Sequence, residues 1–339
     1  MGANTLLRRL LWRRPAGETL SRRRFLAGLG VLAGAGAVAP LFWRGRGGRP
    51  TTVEASRPAL GTWVRVVARD ADPARAERGI AAAFAALRVV DAQMSLHRPD
   101  SQLCRVNAAA GRAPVSVAAD LLEVVGRATA TARATAGVYD PTVLPLMRLY
   151  GFYASGSGRY PDDREIAAAL ERTGWQQVRV DRAAGTLGLA RSGAGLDLGS
   201  IGKGWALDRA VAALRAAGIA SGLVDVGGNV YGLGVPEDGA AGWAVGVLHP
   251  GTGRIDRTFH LRDAAVATSG NAEQHHALGG HEVGHLLDAR RGRPADGPLS
   301  ASVLAATGTD SDVLSTVAFL VGPDRFRGWA GARAAHFVG

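Results

Sequence analysis

Leu196-Asp197-Leu198-Gly199-Ser200-Ile201-Gly202-Lys203-Gly204-Trp205-Ala206-Leu207-Asp208 holds the one lysine of a chain whose other 39 of 40 basic side chains are arginine. A glycine-flanked ammonium entering a helix suits one task above others, which is touching a phosphate as a compact, flexible point charge. The run fits neither G-x-x-x-x-G-K-[ST] nor G-x-G-x-x-G. A lone lysine in an ordinary surface position is the competing reading, so the surroundings must decide. Downstream, Lys203 to Ala217 reads as a helix ended by Gly218, followed by a short strand at Gly222–Val226. Upstream, Gln177–Asp181 and Thr186–Ala190 read as a hairpin. A helix set among strands without strict βαβ alternation predicts an α+β fold rather than a doubly wound parallel sheet.

The same reading extends outward. Thr62-Trp63-Val64-Arg65-Val66-Val67-Ala68 alternates like a half-buried strand. Pro73 opens a helix to about Gln93, with Ile80, Phe84, Leu87 and Val90 along one stripe. Further helices are expected at Val117–Thr135, closed by Gly137, at Asp163–Arg172 and at Asp310–Val321. Strands are expected at Trp243–Leu248, Arg257–Leu261, Ala264–Thr268, Val283–Asp288 and Ser300–Ala306. Asp70–Pro73 and Tyr153–Asp163 read as loops on their Gly, Pro, Ser and Asp content. Cys104 is the only cysteine, so no internal disulfide can form, and its apolar neighbours suggest a small packed side chain.

The net charge of +11 is concentrated at one end. Residues 1–50 hold ten arginines against Glu18 alone, which leaves 30 basic and 28 acidic side chains in the rest. A nearly neutral body gives no reason to expect nucleic-acid binding. Ser21-Arg22-Arg23-Arg24-Phe25-Leu26 precedes a Gly- and Ala-rich apolar stretch reaching Trp43, the pattern of a twin-arginine export signal. Ala35-Gly36-Ala37 offers a cleavage site, and an uncleaved membrane anchor is the alternative. Residues 1–50 are therefore expected to be signal and linker, with one domain at 51–339 placed in the periplasm or on the outer face of the cytoplasmic membrane.

Five motifs then occur in order. They are Met94-Ser95-Leu96-His97-Arg98-Pro99-Asp100-Ser101, Thr135-Ala136-Gly137-Val138-Tyr139-Asp140-Pro141-Thr142-Val143, the Asp197–Gly204 run, Val224-Asp225-Val226-Gly227-Gly228-Asn229, and Ala267-Thr268-Ser269-Gly270-Asn271 running on to His285–Pro294. In this order and spacing residues 55 to 339 resemble the ApbE family, the FAD:protein FMN transferases. The resemblance implies an α+β fold of mixed sheets and flanking helices around a central FAD cleft. It implies Mg²⁺-dependent transfer of FMN from FAD to a Thr or Ser hydroxyl of a client protein, with AMP as product. Carried over by residue, flavin and adenine contacts fall at Leu60, His97, Val138, Tyr139, Asp140, Lys203, His285 and Leu286. Metal ligands fall at Ser200 by its carbonyl, Asp312 and Thr316. His285 and Asp312 stand as the catalytic pair.

The residue types suit that chemistry. FAD's pyrophosphate charge must be neutralised before a hydroxyl can attack phosphorus, and a hard Mg²⁺ held by a few oxygens does so. Asp312 and Thr316, four apart in a helix, present both oxygens on one face. Lys203 adds charge where helix N–H groups already favour an anion. His285 has an imidazole suited to taking the acceptor proton. Three positions depart from the family pattern: Leu60 replaces a frequent Met, His97 an aromatic, and Ala289 the proline of His-x-x-Asp-Pro. Asp140 before Pro141 also reads as a turn cap. A Mg²⁺-dependent FAD pyrophosphatase and a non-catalytic flavin-binding protein remain alternatives. The more remote one is a zinc peptidase, because His281-Glu282-Val283-Gly284-His285 matches H-E-x-x-H, although its glycines suggest a hairpin arm rather than the helix that chemistry needs.

Overall fold

The structure is a computed structural model that describes residues 50–153, 159–271 and 275–339. The expected export signal, Arg22 and Arg23 included, lies outside the described residues. The first half runs β1 (Thr51–Ala59), β2 (Thr62–Asp70), α1 (Pro73–Met94), α2 (Gln102–Ala108), β3 (Val115–Ser116), α3 (Ala119–Ala134), α4 (Leu144–Leu149) and α5 (Asp163–Leu170). Then come β4 (Val178–Asp181), β5 (Thr186–Leu189), α6 (Gly202–Ala216), β6 (Ser221–Val226), β7 (Asn229–Leu233), β8 (Trp243–Leu248) and β9 (Ile255–Leu261). The chain closes with β10 (Ala264–Gly270), β11 (His275–Leu278), β12 (His281–Gly284), β13 (Leu287–Asp288), β14 (Arg293–Pro294), β15 (Ser300–Ala305), α7 (Gly308–Val321), α8 (Pro323–Phe326) and β16 (Ala332–Val338).

Seven strands form the central sheet in the order β1-β2-β6-β7-β10-β15-β16, each pair antiparallel. Alternation decides which face each side chain takes. On β7 and β10, Tyr231 and Ala265 join the main core, whereas Val230 and Val266 face Val247, Phe259 and Leu261 of the β8–β9 hairpin. The opposite face carries α1, α6 and α7. Pro73 starts α1 after Asp72, whose side chain accepts from the Ala74 N–H, and the expected stripe of Ile80, Phe84, Leu87 and Val90 is buried. Burying a large apolar side chain of this kind contributes about 1.5–3 kcal/mol. A smaller apolar cluster, with Leu146, Met147, Tyr150, Leu278 and Val283, packs α4 and α5 against the β11–β12 hairpin.

The α+β class follows as expected. Several boundaries shift by one or two residues, and two differences have a clear local cause. Helix α7 begins at Gly308 rather than Asp310, because Thr307 caps it through the Asp310 N–H and the Asp208 side chain takes the N–H groups of Gly308 and Thr309. The strand expected over Val283–Asp288 breaks at His285-Leu286, where the Leu286 carbonyl turns to accept from the Ala295 N–H. Strand β1 carries no alternating signal, because most of it is exposed and Arg57-Pro58 interrupts it. Helices α2 and α4 span only 7 and 6 residues, too few to show a period.

Candidate active site at the α6–α7 crossing

Helices α6 and α7 cap each other. Asp312 of α7 accepts from the Gly204 N–H in the first turn of α6 (2.8 Å). Asp208 of α6 accepts from the N–H groups of Gly308 (2.6 Å) and Thr309 (2.9 Å) and from the Thr309 hydroxyl (2.6 Å). Each carboxylate thus satisfies donors that a helix start leaves over and complements its dipole. The crossing needs glycine on both sides. A Cβ on Gly204 would meet the Asp312 Cβ at 2.6 Å, and one on Gly308 would meet the Gly204 carbonyl oxygen at 2.7 Å.

The two caps bring Lys203 and Asp312 together. The Lys203 ammonium donates to the Gly199 carbonyl at 2.9 Å and lies 3.7 Å from Asp312 Oδ1. Asp312 is 3% exposed and Thr316, one turn on, is 6% exposed. Ser269 at the end of β10 lies 3.2 Å from the Thr316 hydroxyl and 2.8 Å from that of Ser315, which donates to the Asp312 carbonyl. Ser200 precedes α6, and its hydroxyl donates to the Tyr139 phenol at 3.1 Å. Burial pushes that phenol above its usual range, so it stays protonated. Carboxylate, hydroxyl and carbonyl oxygens are the hard donors that Mg²⁺ takes. Asp312, Thr316 and the Ser200 carbonyl supply oxygens of these kinds, so the chemistry of the donor set fits such an ion.

A second wall begins at the β1–β2 turn. Leu60 and Gly61 have φ of 54° and 72°, as a two-residue hairpin turn of this hand requires, and the turn holds half-buried Leu60 against the main core. A Cβ on Gly61 would lie 3.3 Å from the His97 ring. The His97 ring in turn lies 5.8 Å from that of Tyr153. The Tyr153 hydroxyl hydrogen-bonds Asp197, whose carboxyl is raised by burial and lowered by the Gly199 N–H, by Tyr153, and by the charges of Lys203 and His97. The loop from Asp197 to Lys203 therefore joins the two walls.

His285 lies on a third side, edge-on to Phe152 with ring centres 6.4 Å apart. Phe152 and Tyr153 are consecutive, so one short segment contacts both His285 and His97. Leu286 packs into the main core, and the Val138 carbonyl accepts from the Ala289 N–H at 3.4 Å. Asp140 organises the loop between these segments. Its oxygens accept from the Thr142 N–H and hydroxyl at 2.8 and 2.6 Å and from the Trp175 N–H at 2.8 Å. The turn-capping role is thus physically present at Asp140.

The first four residues of the His281–His285 motif form β12, paired with β11 across the Gly279-Gly280 turn, and His285 lies just beyond it. His281 and Glu282 are exposed, and His281 lies against Tyr160. No helix brings the two imidazoles to one metal. Among the described residues no three His, Cys, Asp or Glu side chains gather to hold one.

Four contributors escaped the sequence reading as site residues: Tyr153, Asp197, Asp208 and Ser269. Asp197 and Asp208 stand in the quoted glycine-rich run, and an aspartate between Leu196 and Leu198 was the available signal. Ser269 lies inside a quoted motif. Tyr153 sits at the start of an expected loop, where nothing local marks it.

The ApbE family model matches residues 60–337. The FAD:protein FMN transferase of Treponema pallidum is 33% identical over 297 residues, covering 82% of this chain and 82% of that protein. That of Vibrio cholerae is 31% identical over 246 residues, covering 70% of this chain and 72% of its own. Among solved structures, the ApbE protein of Thermotoga maritima superposes with a TM-score of 0.75 at 28% identity, over 85% of this chain and 97% of that one. The apo flavinyl transferase ApbE of Pseudomonas stutzeri gives 0.74 at 28% identity, over 85% and 91%. Fold and sequence define one class, an α+β flavin-transferase architecture. The chain belongs to the ApbE family.

Proposed function

We propose that this chain is an FAD:protein FMN transferase, moving the FMN half of FAD to a Thr or Ser hydroxyl of a client protein and releasing AMP. The observation that carries this reading is the Lys203–Asp312 pair at the mutual cap of α6 and α7, in a chain of the ApbE family. The acceptor oxygen bonds to the phosphorus on the FMN side while the bridging P–O bond breaks, and AMP leaves with the bridging oxygen. The acceptor proton goes to His285, the imidazole that the family resemblance assigns to this step. Lys203 and the dipole at the start of α6 favour the pyrophosphate. Mg²⁺, held by the Ser200 carbonyl, Asp312 and Thr316, would supply further charge neutralisation there. Leu60, His97, Val138, Tyr139, Asp140 and Leu286 hold the flavin and adenine.

The proposed place is outside the cytoplasmic membrane, after twin-arginine export of the folded chain. Among the described residues no helix is long and apolar enough to cross a membrane. The test is to incubate the chain with FAD, Mg²⁺ and a candidate periplasmic client and to weigh the client. A covalent FMN adduct together with stoichiometric AMP is expected. Free FMN and AMP with an unmodified client would assign the pyrophosphatase instead.

A further inference from the structure

Each hydroxyl has one proton, and at the end of β10 that count sets a direction. Ser315 is fully buried, and its hydroxyl donates to the Asp312 carbonyl at 2.8 Å, because a carbonyl can only accept. With its proton used there, Ser315 accepts from Ser269 at 2.8 Å. Ser269 has then used its own proton, so it accepts from Thr316 at 3.2 Å. The chain of donors runs Thr316 to Ser269 to Ser315 to the Asp312 carbonyl. Its start is the one hydroxyl assigned to a metal.

We infer that Ser269 is a positioning residue that holds the Thr316 proton away from the Asp312 side chain, leaving the Thr316 lone pairs free for a divalent cation. A hydroxyl whose proton points at a cation is repelled, and one held by an outer partner is already oriented. Outer partners of this kind typically change metal affinity by about 10–100-fold. The inference rests on the reading of Asp312 and Thr316 as a Mg²⁺ site. Ser315 sets the direction of the chain, whereas Ser269 makes the contact with Thr316. Loss of Ser315 frees the Ser269 proton to point either way, so its removal should matter less.

The experiment reads metal binding rather than turnover. Mg²⁺ is titrated calorimetrically into the full chain with FAD present, and the Mg²⁺-induced rise in melting temperature is recorded beside it. Ser269→Ala should weaken Mg²⁺ at least about tenfold, Ser269→Thr should retain near-normal affinity, and Ser315→Ala should fall between them. If the alanine variant does not fold, Ser269→Cys keeps the volume but offers only a weak acceptor, and a similar loss is expected. Asp312→Asn separates the two ideas. Wild-type Mg²⁺ affinity unchanged by Asp312→Asn would overturn the metal site and this inference with it. An affinity sensitive to Asp312→Asn, yet the same in Ser269→Ala as in wild type, would overturn the role of Ser269 alone. A fall in melting temperature without loss of Mg²⁺ affinity would make Ser269 merely structural.

Discussion

Asp140 and Asp197 are buried and Asp208 is half-buried, and each is held chiefly by backbone N–H and hydroxyl groups, although the chain has arginines in abundance. Fixed N–H donors leave the loops in one geometry, which a long guanidinium would not. Burial is the largest influence on all three carboxyls and raises each above the ordinary range. This has a consequence for stability at Asp140. Folded Asp140 keeps its proton to a higher pH than the unfolded chain does. The folded state therefore binds the extra proton between the two values, and stability is lost as pH rises through that window. Asp140→Asn has no such proton. The melting temperature of wild type relative to Asp140→Asn should be most favourable near pH ~4 and decline toward neutrality. A difference that grows with pH would show that the Thr142 and Trp175 donors outweigh burial.

At the scale of elements, the α6–α7 crossing determines where Lys203 and Asp312 meet. Gly204→Ala would drive its Cβ into Asp312 and the Gly308 backbone, whereas a Cβ on Gly202 would find only Leu198, at 3.9 Å. Gly204→Ala should therefore cost about 1–3 kcal/mol in thermal or denaturant unfolding and lower FMN transfer, while Gly202→Ala should be neutral or mildly stabilising. Equal stability of the two variants would refute the close crossing. The β11–β12 hairpin gives a second contrast. Its exposed arm carries His281 and Glu282, and the chain leaves β12 at His285, beside Phe152. Glu282→Gln and His281→Ala should retain most FMN transfer, whereas His285→Ala should lose most of it. One zinc per chain, with activity lost in Glu282→Gln, would restore the peptidase reading. The elements legible in the sequence were those with enough residues to show a period. The stripe of α1 and the alternation of β2 are local patterns, so they needed no partner to be seen. The break in the strand at His285 was not legible, because it depends on Ala295 and on Asn271 packing against Gly284.

Across the whole molecule, charge is unevenly distributed: the arginines that give the high net charge crowd residues 1–50. If that segment is a twin-arginine signal, Arg22→Lys combined with Arg23→Lys should leave folded protein in the cytoplasm, as read by fractionation. Continued export would point to an ordinary secretory signal or an anchor. The sequence by itself determined the α+β class, most helices and strands, and the motifs that place this chain in its family. Those features rest on interactions within a few residues and on residue types at set spacings. Only the tertiary structure decided how the motifs become a site. Asp208 caps a helix 101 positions away at Thr309, and Ser269 holds a hydroxyl 47 positions away at Thr316. Which donor meets which acceptor across such distances depends on how the sheet and its helices pack. A local pattern carries no record of that.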